Sequence, residues 1–339
     1  MNLQSGTLGN CTPEQLQALD QLREYINDHL DYSGSEICTW FLLRIGRARN
    51  FNVEAMKKMM SDYKEFRQGV YCKEALEMSV ESKWKPLQEL MDSGFFYTDR
   101  EGRPVYVMSV GTSNWEKITA NYSTDEIVQW HLKKLEWYLN IINPMGSKYA
   151  GKRVDCVSAI VDFKDVNPLM FTKGKLKEFV QRLSYYTQNF YPEILGKLYI
   201  INVPKLFYVL WMIVKLWLDD QTKRKIEIDS GKATEKLLKD IDANNLHVKF
   251  GGKREGSFKE DAGPWSYELQ EVMRLNVFTI PAARKMYEKY LFTEIEQVKQ
   301  KANNDRLETQ RAMSLLEIEE HVKVRKVPHI KLTVSLRQF

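Results

Sequence analysis

A chain of 339 residues has room for one large domain with attachments or for two modest ones. Apolar residues make up 43% and aromatics 12%, enough for a sizeable core, which excludes wholesale disorder. The formal net charge of +5 suits loose attraction to anionic lipid surfaces, but it is no concentrated basic stripe, so no nucleic-acid partner is expected.

The opening residues, MNLQSGTLGN, offer neither an apolar run nor an arginine, so no leader is expected and a cytoplasmic location follows. Thr12-Pro13-Glu14-Gln15 predicts a helix start, with Thr12 as cap, Pro13 in the first turn and Gln15 completing a capping box. Leu16, Leu19, Leu22 and Ile26 then recur at helical spacing. Further helices are predicted over 36–45 and 53–66, separated by the polar break Arg49-Asn50-Phe51-Asn52. These form a helical front end over 12–70, ahead of an α/β unit over 84–255 and an extension over 256–339.

In the α/β unit, 95–98 and 103–109 predict two strands around the turn Asp99-Arg100-Glu101-Gly102. Ser123-Thr124-Asp125-Glu126 is a second capping box, opening a helix to about residue 142. Buried strands are predicted over 154–163 and 198–203, helices over 168–189 and 204–218, and short strands over 226–228 and 246–250. Strands alternating with helices argue for a parallel or mixed sheet. Residues 253–263 read as a loop or linker, and 282–320 as a charged helix. Ile330, Leu332, Val334 and Leu336 alternate with polar residues as a half-buried strand.

Signatures of phosphate cradles, activated nucleophiles and metals are missing, and the four cysteines, Cys11, Cys38, Cys72 and Cys156, form no CxxC pair. The expectation is therefore no enzyme, no cofactor, no metal and no disulfide framework. Gly251-Gly252-Lys253 lacks the remaining spacing of a P-loop and reads as a turn.

The segment VLWMIVKLWL, 209–218, has Lys215 as its one polar residue. Such a helix is buried on every side, spans a bilayer, or faces something greasy that is not protein. Spanning fails on length, because the apolar run over 206–218 is far short of the roughly 20 residues a bilayer needs. Burial and a greasy ligand both stay open. Directly after it come Asp219, Asp220, Thr222, Lys223, Arg224 and Lys225, a cluster able to hold a phosphorylated head.

Four stretches in order, FLLRIGRARNFNVEAM from Phe41, DREGRPVY from Asp99, YPEILGKLYIINVP through LDDQTKRKI from Tyr191, and LHVKFGGK from Leu246, resemble the CRAL-TRIO lipid-binding family. The resemblance covers about residues 12–255. It implies an N-terminal helical subdomain packed on an α/β sheet that floors a lipid pocket, closed by a movable apolar helix. The nearest branch is similar to the phosphatidylinositol transfer proteins, which implies intermembrane transfer of phosphatidylinositol exchanged against a second lipid, with peripheral contact on anionic membranes. By matching motifs, Arg49, Glu193, Thr222 and Lys225 would hold the inositol phosphate head. The gate and pocket would comprise Phe207, Leu210, Trp211, Ile213, Val214 and Trp217, with Val157, Ala159 and Thr187 on the walls.

Two departures stand out. Asn50 replaces the second basic residue next to Arg49. Val157 and Ala159 occupy positions that carry hydroxyls in the branch that also binds phosphatidylcholine, while Ser158 between them points to the other face of its strand. A more apolar second cargo is therefore expected. Other readings are a carrier of a sterol, tocopherol or retinoid, and a lipid-sensing adaptor recruiting a protein through 282–336.

Overall fold

The computed structural model describes residues 6–7, 10–30, 39–69, 72, 84–172, 174–229 and 231–274. The strand expected near the C-terminus, the 282–320 helix and Cys38 lie outside them.

Helices Pro13–Tyr25, Thr39–Ala48 and Val53–Gln68 pack together as the front end. The Thr12/Gln15 box forms as expected, and Asn52 caps the third helix by accepting from the Ala55 amide at 2.9 Å. Between the second and third, Asn50 and Phe51 take left-handed φ angles of 49° and 56°, a sharp reversal that the polar break foreshadowed.

Behind the front end lies a mixed sheet of five strands in the spatial order β1 (Asp92–Thr98), β2 (Pro104–Ser109), β3 (Val157–Asp162), β4 (Leu195–Ile201) and β5 (Ile226–Asp229). The β1/β2 hairpin is antiparallel and the remaining pairs are parallel, with helical crossovers between strands. A register shift between Val157 and Ser158, opposite Gly196, puts Leu195 and Leu198 on the same face.

The two faces differ. One buries Phe96, Val105, Val107, Ile160, Tyr199 and Ile201 under Leu237, Ile241, Leu246, Phe250 and Phe258. Ser158 points to this side and donates to Asp99 Oδ2 at 2.7 Å, away from Val157 and Ala159, as strand alternation requires. The other face looks toward helices Thr124–Trp137, Gly174–Phe190 and Phe207–Val214.

Four local expectations need correcting. The helix opened by Ser123 runs to Trp137, widens into a π turn over Tyr138–Ile142 and resumes as Asn143–Ala150. The wide turn carries the chain past Pro144, which has no N–H to give a regular helix. Residues 246–250 form a 3-10 turn, Val248–Phe250, because the His247 side chain accepts from the Lys249 amide at 3.0 Å and so favours local closure over a ladder. The apolar helix spans Phe207–Val214, not 204–218. Its end tightens to three-residue bonds, Leu216 N to Ile213 O and Trp217 N to Val214 O.

Residues 253–263 are no free linker. The Tyr97 amide donates to Ala262 O at 2.8 Å and the Phe95 amide to Asp261 Oδ1 at 2.7 Å, so this segment lies along the outer edge of β1. Trp265 follows, fully buried, with its indole N–H on Asp261 O. Gly94 allows the approach, since a Cβ there would meet Phe258 O at 1.8 Å. Gly94→Ala is expected to cost about 3 kcal/mol or more, because the obstacle is backbone that no rotamer change clears. Chemical denaturation will measure it as a lowered midpoint at unchanged slope.

Candidate functional site

Between the open sheet face and the three helices lies a cavity of about 920 Å³. That is near the upper end of ordinary ligand pockets, which run from roughly 300 to 1,000 Å³. Its floor is Phe95, Tyr106, Met108, Val157, Ala159, Val161, Leu195, Leu198, Ile200 and Ile226, drawn from all five strands and alternating except across the register shift in β4. Helix Gly174–Phe190 presents Leu176, Phe179, Val180 and Leu183 to it, and the apolar helix presents Phe207, Leu210, Trp211 and Val214. The apolar helix therefore faces a hollow on its inner side rather than a packed core.

Of the expected gate residues, Phe207, Leu210, Trp211 and Val214 line the hollow, whereas Ile213 and Trp217 do not. Spacing explains Ile213, which sits off the inward 207/210/214 stripe. The tightened final turn explains Trp217, whose carbonyl accepts from Gln188 Nε2 at 2.8 Å. Val157, Ala159 and Thr187 all reach the wall, although the Thr187 hydroxyl already donates to Leu183 O at 2.9 Å.

Arg49, Glu193, Thr222 and Lys225 come together at one end of the cavity from distant parts of the sequence. Arg49 extends from the end of the second helix and donates to Ala48 O and Asn189 Oδ1, at 3.1 and 3.3 Å. Among the described residues no carboxylate forms an ion pair with it. Burial lowers the guanidinium's pKa against the opposing pull of Asp219 and Asp62, but an arginine remains charged. Glu193 follows Pro192 in a left-handed conformation, φ 57°, and is held from two sides: Lys225 Nζ at 3.0 Å and Arg47 Nε at 3.8 Å. Thr222 sits in a short helix, Asp220–Arg224, capped by Asp219. The cap accepts from the Thr222 amide at 2.8 Å and from its hydroxyl at 2.7 Å. These bonds hold the Asp219 carboxyl below its ordinary pKa despite the opposing effect of burial.

Sequence reasoning missed Arg47, Gln188 and Gln221. Arg47 is the buried ion-pair partner of Glu193. Gln221 Nε2 donates to Arg47 O at 3.1 Å, tying the capped helix to the front end, and Gln188 receives the Asp219 amide at 3.2 Å. The first arginine of Arg47-Ala48-Arg49 was the available signal, because two cations flanking one alanine implied two anionic partners. The glutamines left no pattern, since their roles depend on tertiary placement.

Residues 93–252 match the family model described as the CRAL/TRIO domain. The chain is 34% identical over 279 residues to a SEC14 cytosolic factor of Candida glabrata, covering 77% of this chain and 87% of the relative. It is 32% identical over 239 residues to the phosphatidylinositol/phosphatidylcholine transfer protein SFH7 of Arabidopsis thaliana, covering 69% of this chain and 44% of that longer protein. The crystal structure of Sfh5 superposes with a TM-score of 0.58 at 14% identity over 78% of this chain and 99% of the other, a likeness of fold. With its motifs, its sheet order and these relatives in agreement, the chain belongs to the CRAL/TRIO family, on its SEC14 branch.

Proposed function

We propose that the protein binds phosphatidylinositol and carries it between membranes, exchanging it for a second, more apolar lipid. The observation that supports this best is the juxtaposition of an apolar cavity with the half-buried Arg49 guanidinium, which has no carboxylate partner among the described residues. Acyl chains would fill the hollow between sheet and helices. The phosphate would accept from Arg49, with Thr222 and Lys225 beside it and Glu193 accepting from ring hydroxyls. The name of the Arabidopsis thaliana relative, a phosphatidylinositol/phosphatidylcholine transfer protein, agrees with phosphatidylinositol as a cargo.

Energetics favour a carrier that loads while docked. Each acyl CH₂ contributes about 0.8 kcal/mol, so a lipid with roughly thirty of them faces a barrier on the order of 25 kcal/mol on leaving a bilayer for water. A protein removes that barrier by offering an equally apolar chamber before it departs. In this reading the helix Phe207–Val214 is the gate, and Gln188 fastens the chain just beyond it by its bonds to Trp217 and Asp219.

The outward side of the gate supplies the docking surface. Val209, Met212 and Leu216 are 56%, 60% and 75% exposed, an apolar row on the opposite side from Phe207, Leu210 and Val214. Among the described residues no helix is long and apolar enough to cross a membrane, so contact would be made from one side. Met212→Glu is expected to cut vesicle association about tenfold while leaving thermal stability unchanged, because the side chain is exposed in the free protein. Co-sedimentation with anionic vesicles measures it. Unchanged association would place the docking surface elsewhere.

The reading itself is tested by transfer of labelled phosphatidylinositol between donor and acceptor vesicles, with mass spectrometry of lipids copurified from a cellular host. Absence of phosphatidylinositol from both assays would overturn it.

A further inference from the structure

Glu136, 1% exposed at the end of helix Thr124–Trp137, is a buried carboxylate that gathers donors from three places. Arg67, in the last turn of Val53–Gln68, forms an ion pair with Oε1. The Tyr191 hydroxyl donates to the same oxygen at 2.8 Å, and Asn140 Nδ2 donates to Oε2 at 3.0 Å. Asn140 lies in the π turn, a widened geometry that recurs at functional sites, and it also donates to the Glu136 carbonyl at 2.8 Å. Desolvating two charges largely offsets their attraction, so a buried pair of this kind adds little net stability. Its consequence is positional: one carboxylate ties together the front end, a cavity helix and the segment ahead of β4.

Tyr191 is the member of this cluster that reaches the cavity. Its ring lies in the cavity wall and against Phe66, 6.0 Å between centroids, while its hydroxyl turns back to Glu136. Burial, reinforced by the charge of Glu136, holds the phenol well above its ordinary pKa, so the hydroxyl stays a donor. Pro192 and Glu193 follow directly. The proline has a fixed φ, and Glu193 sits at φ 57°, a conformation that a non-glycine residue keeps only where its surroundings over-determine it. Lys225 and Arg47 hold the Glu193 carboxylate, and Ile194 O accepts from the Val157 amide at 2.8 Å. Tyr191 fixes the start of the same short stretch. With one rigid proline between them, a displacement of Tyr191 is passed on to Glu193.

We infer that Glu136 and Tyr191 are positioning residues that aim Glu193 at the inositol ring and so set the selectivity for that head group. This rests on the proposed head site, in which Glu193 accepts from ring hydroxyls. The Tyr191–Glu136 bond then decides between a phospholipid that bears the ring and one that offers the same phosphate alone. Through Arg67, the front-end helix Val53–Gln68 shares in that choice.

The experiment offers the full-length protein phosphatidylcholine vesicles carrying equal amounts of phosphatidylinositol and phosphatidic acid with identical acyl chains. The protein is then re-isolated and its lipid quantified by mass spectrometry. Phosphatidic acid gives Arg49 a phosphate but gives Glu193 no ring hydroxyl. The unaltered protein is expected to retain phosphatidylinositol at least about tenfold over phosphatidic acid. Tyr191→Phe, which keeps the ring and removes the one bond, is expected to bring that ratio within about threefold of unity, with total bound lipid unchanged. Glu136→Gln keeps an oxygen for the Tyr191 hydroxyl but takes the partner charge from Arg67, so its melting temperature should fall while its ratio is maintained. A wall of purely structural importance would instead lower retention of both lipids together, in step with melting temperature. An unchanged ratio in Tyr191→Phe, or an equal collapse of the ratio in both variants, would overturn the inference. So would failure of Tyr191→Phe to fold, which would make the bond a structural one. Failure of the unaltered protein to retain phosphatidylinositol would overturn the head-site reading on which the inference rests, and is told apart by that sample alone.

Discussion

Replacing Lys225 with alanine is expected to lower phosphatidylinositol transfer by one to two orders of magnitude. A hydrogen bond to a charged group is worth about 1.5–3 kcal/mol, and each 1.4 kcal/mol is tenfold in affinity. The substitution also takes from Glu193 its nearer partner, at 3.0 Å, and leaves Arg47 at 3.8 Å. Some loss of stability is therefore expected, on the order of 1–3 kcal/mol. A second substitution separates the two effects. Lys225→Ala with Glu193→Gln removes the stranded carboxylate and should recover part of the stability, but transfer should stay low. Full transfer by a folded Lys225→Ala protein would remove this lysine from the head site.

Ala159→Trp is expected to abolish loading of any lipid with a change in melting temperature of less than about 2 °C. Ala159 lies on the cavity floor, in the middle of β3, with its side chain toward the helices. An indole there would occupy space the acyl chains need. Had the helices packed solidly on the sheet, the same substitution would overpack a core and cost about 1–3 kcal/mol. For a domain of this size that corresponds to a fall of roughly 2–12 °C. Copurified lipid and differential scanning calorimetry on one sample distinguish the cases. Retained lipid, or a large fall in melting temperature, would count against a cavity at this position.

What could be read from the chain in advance was whatever depends on neighbours in sequence. The capping boxes at Thr12 and Ser123 formed, because a cap needs only residues three positions away. Strand alternation correctly sent Val157 and Ala159 one way and Ser158 the other. Departures arose where distant groups decide. The Arg47–Glu193 pair joins the front end to the segment before β4. The register shift opposite Gly196 and the π turn ahead of Pro144 change how many residues a turn or strand takes up, which periodicity cannot foresee. Composition alone left the apolar helix with two readings, a buried core or a greasy ligand. The hollow behind Phe207, Leu210 and Val214 favours the second.

The segment laid along β1 bears on how this protein can be shortened. A sheet whose border amides are occupied offers no template for a second molecule to extend. Asp261 and Ala262 occupy two of them, at Phe95 and Tyr97. A chain cut after residue 255, where a boundary drawn from composition would fall, keeps all five strands of the described sheet and every residue of the cavity wall. It would nonetheless bare those amides and is expected to self-associate, whereas one ending at 274 should stay monodisperse.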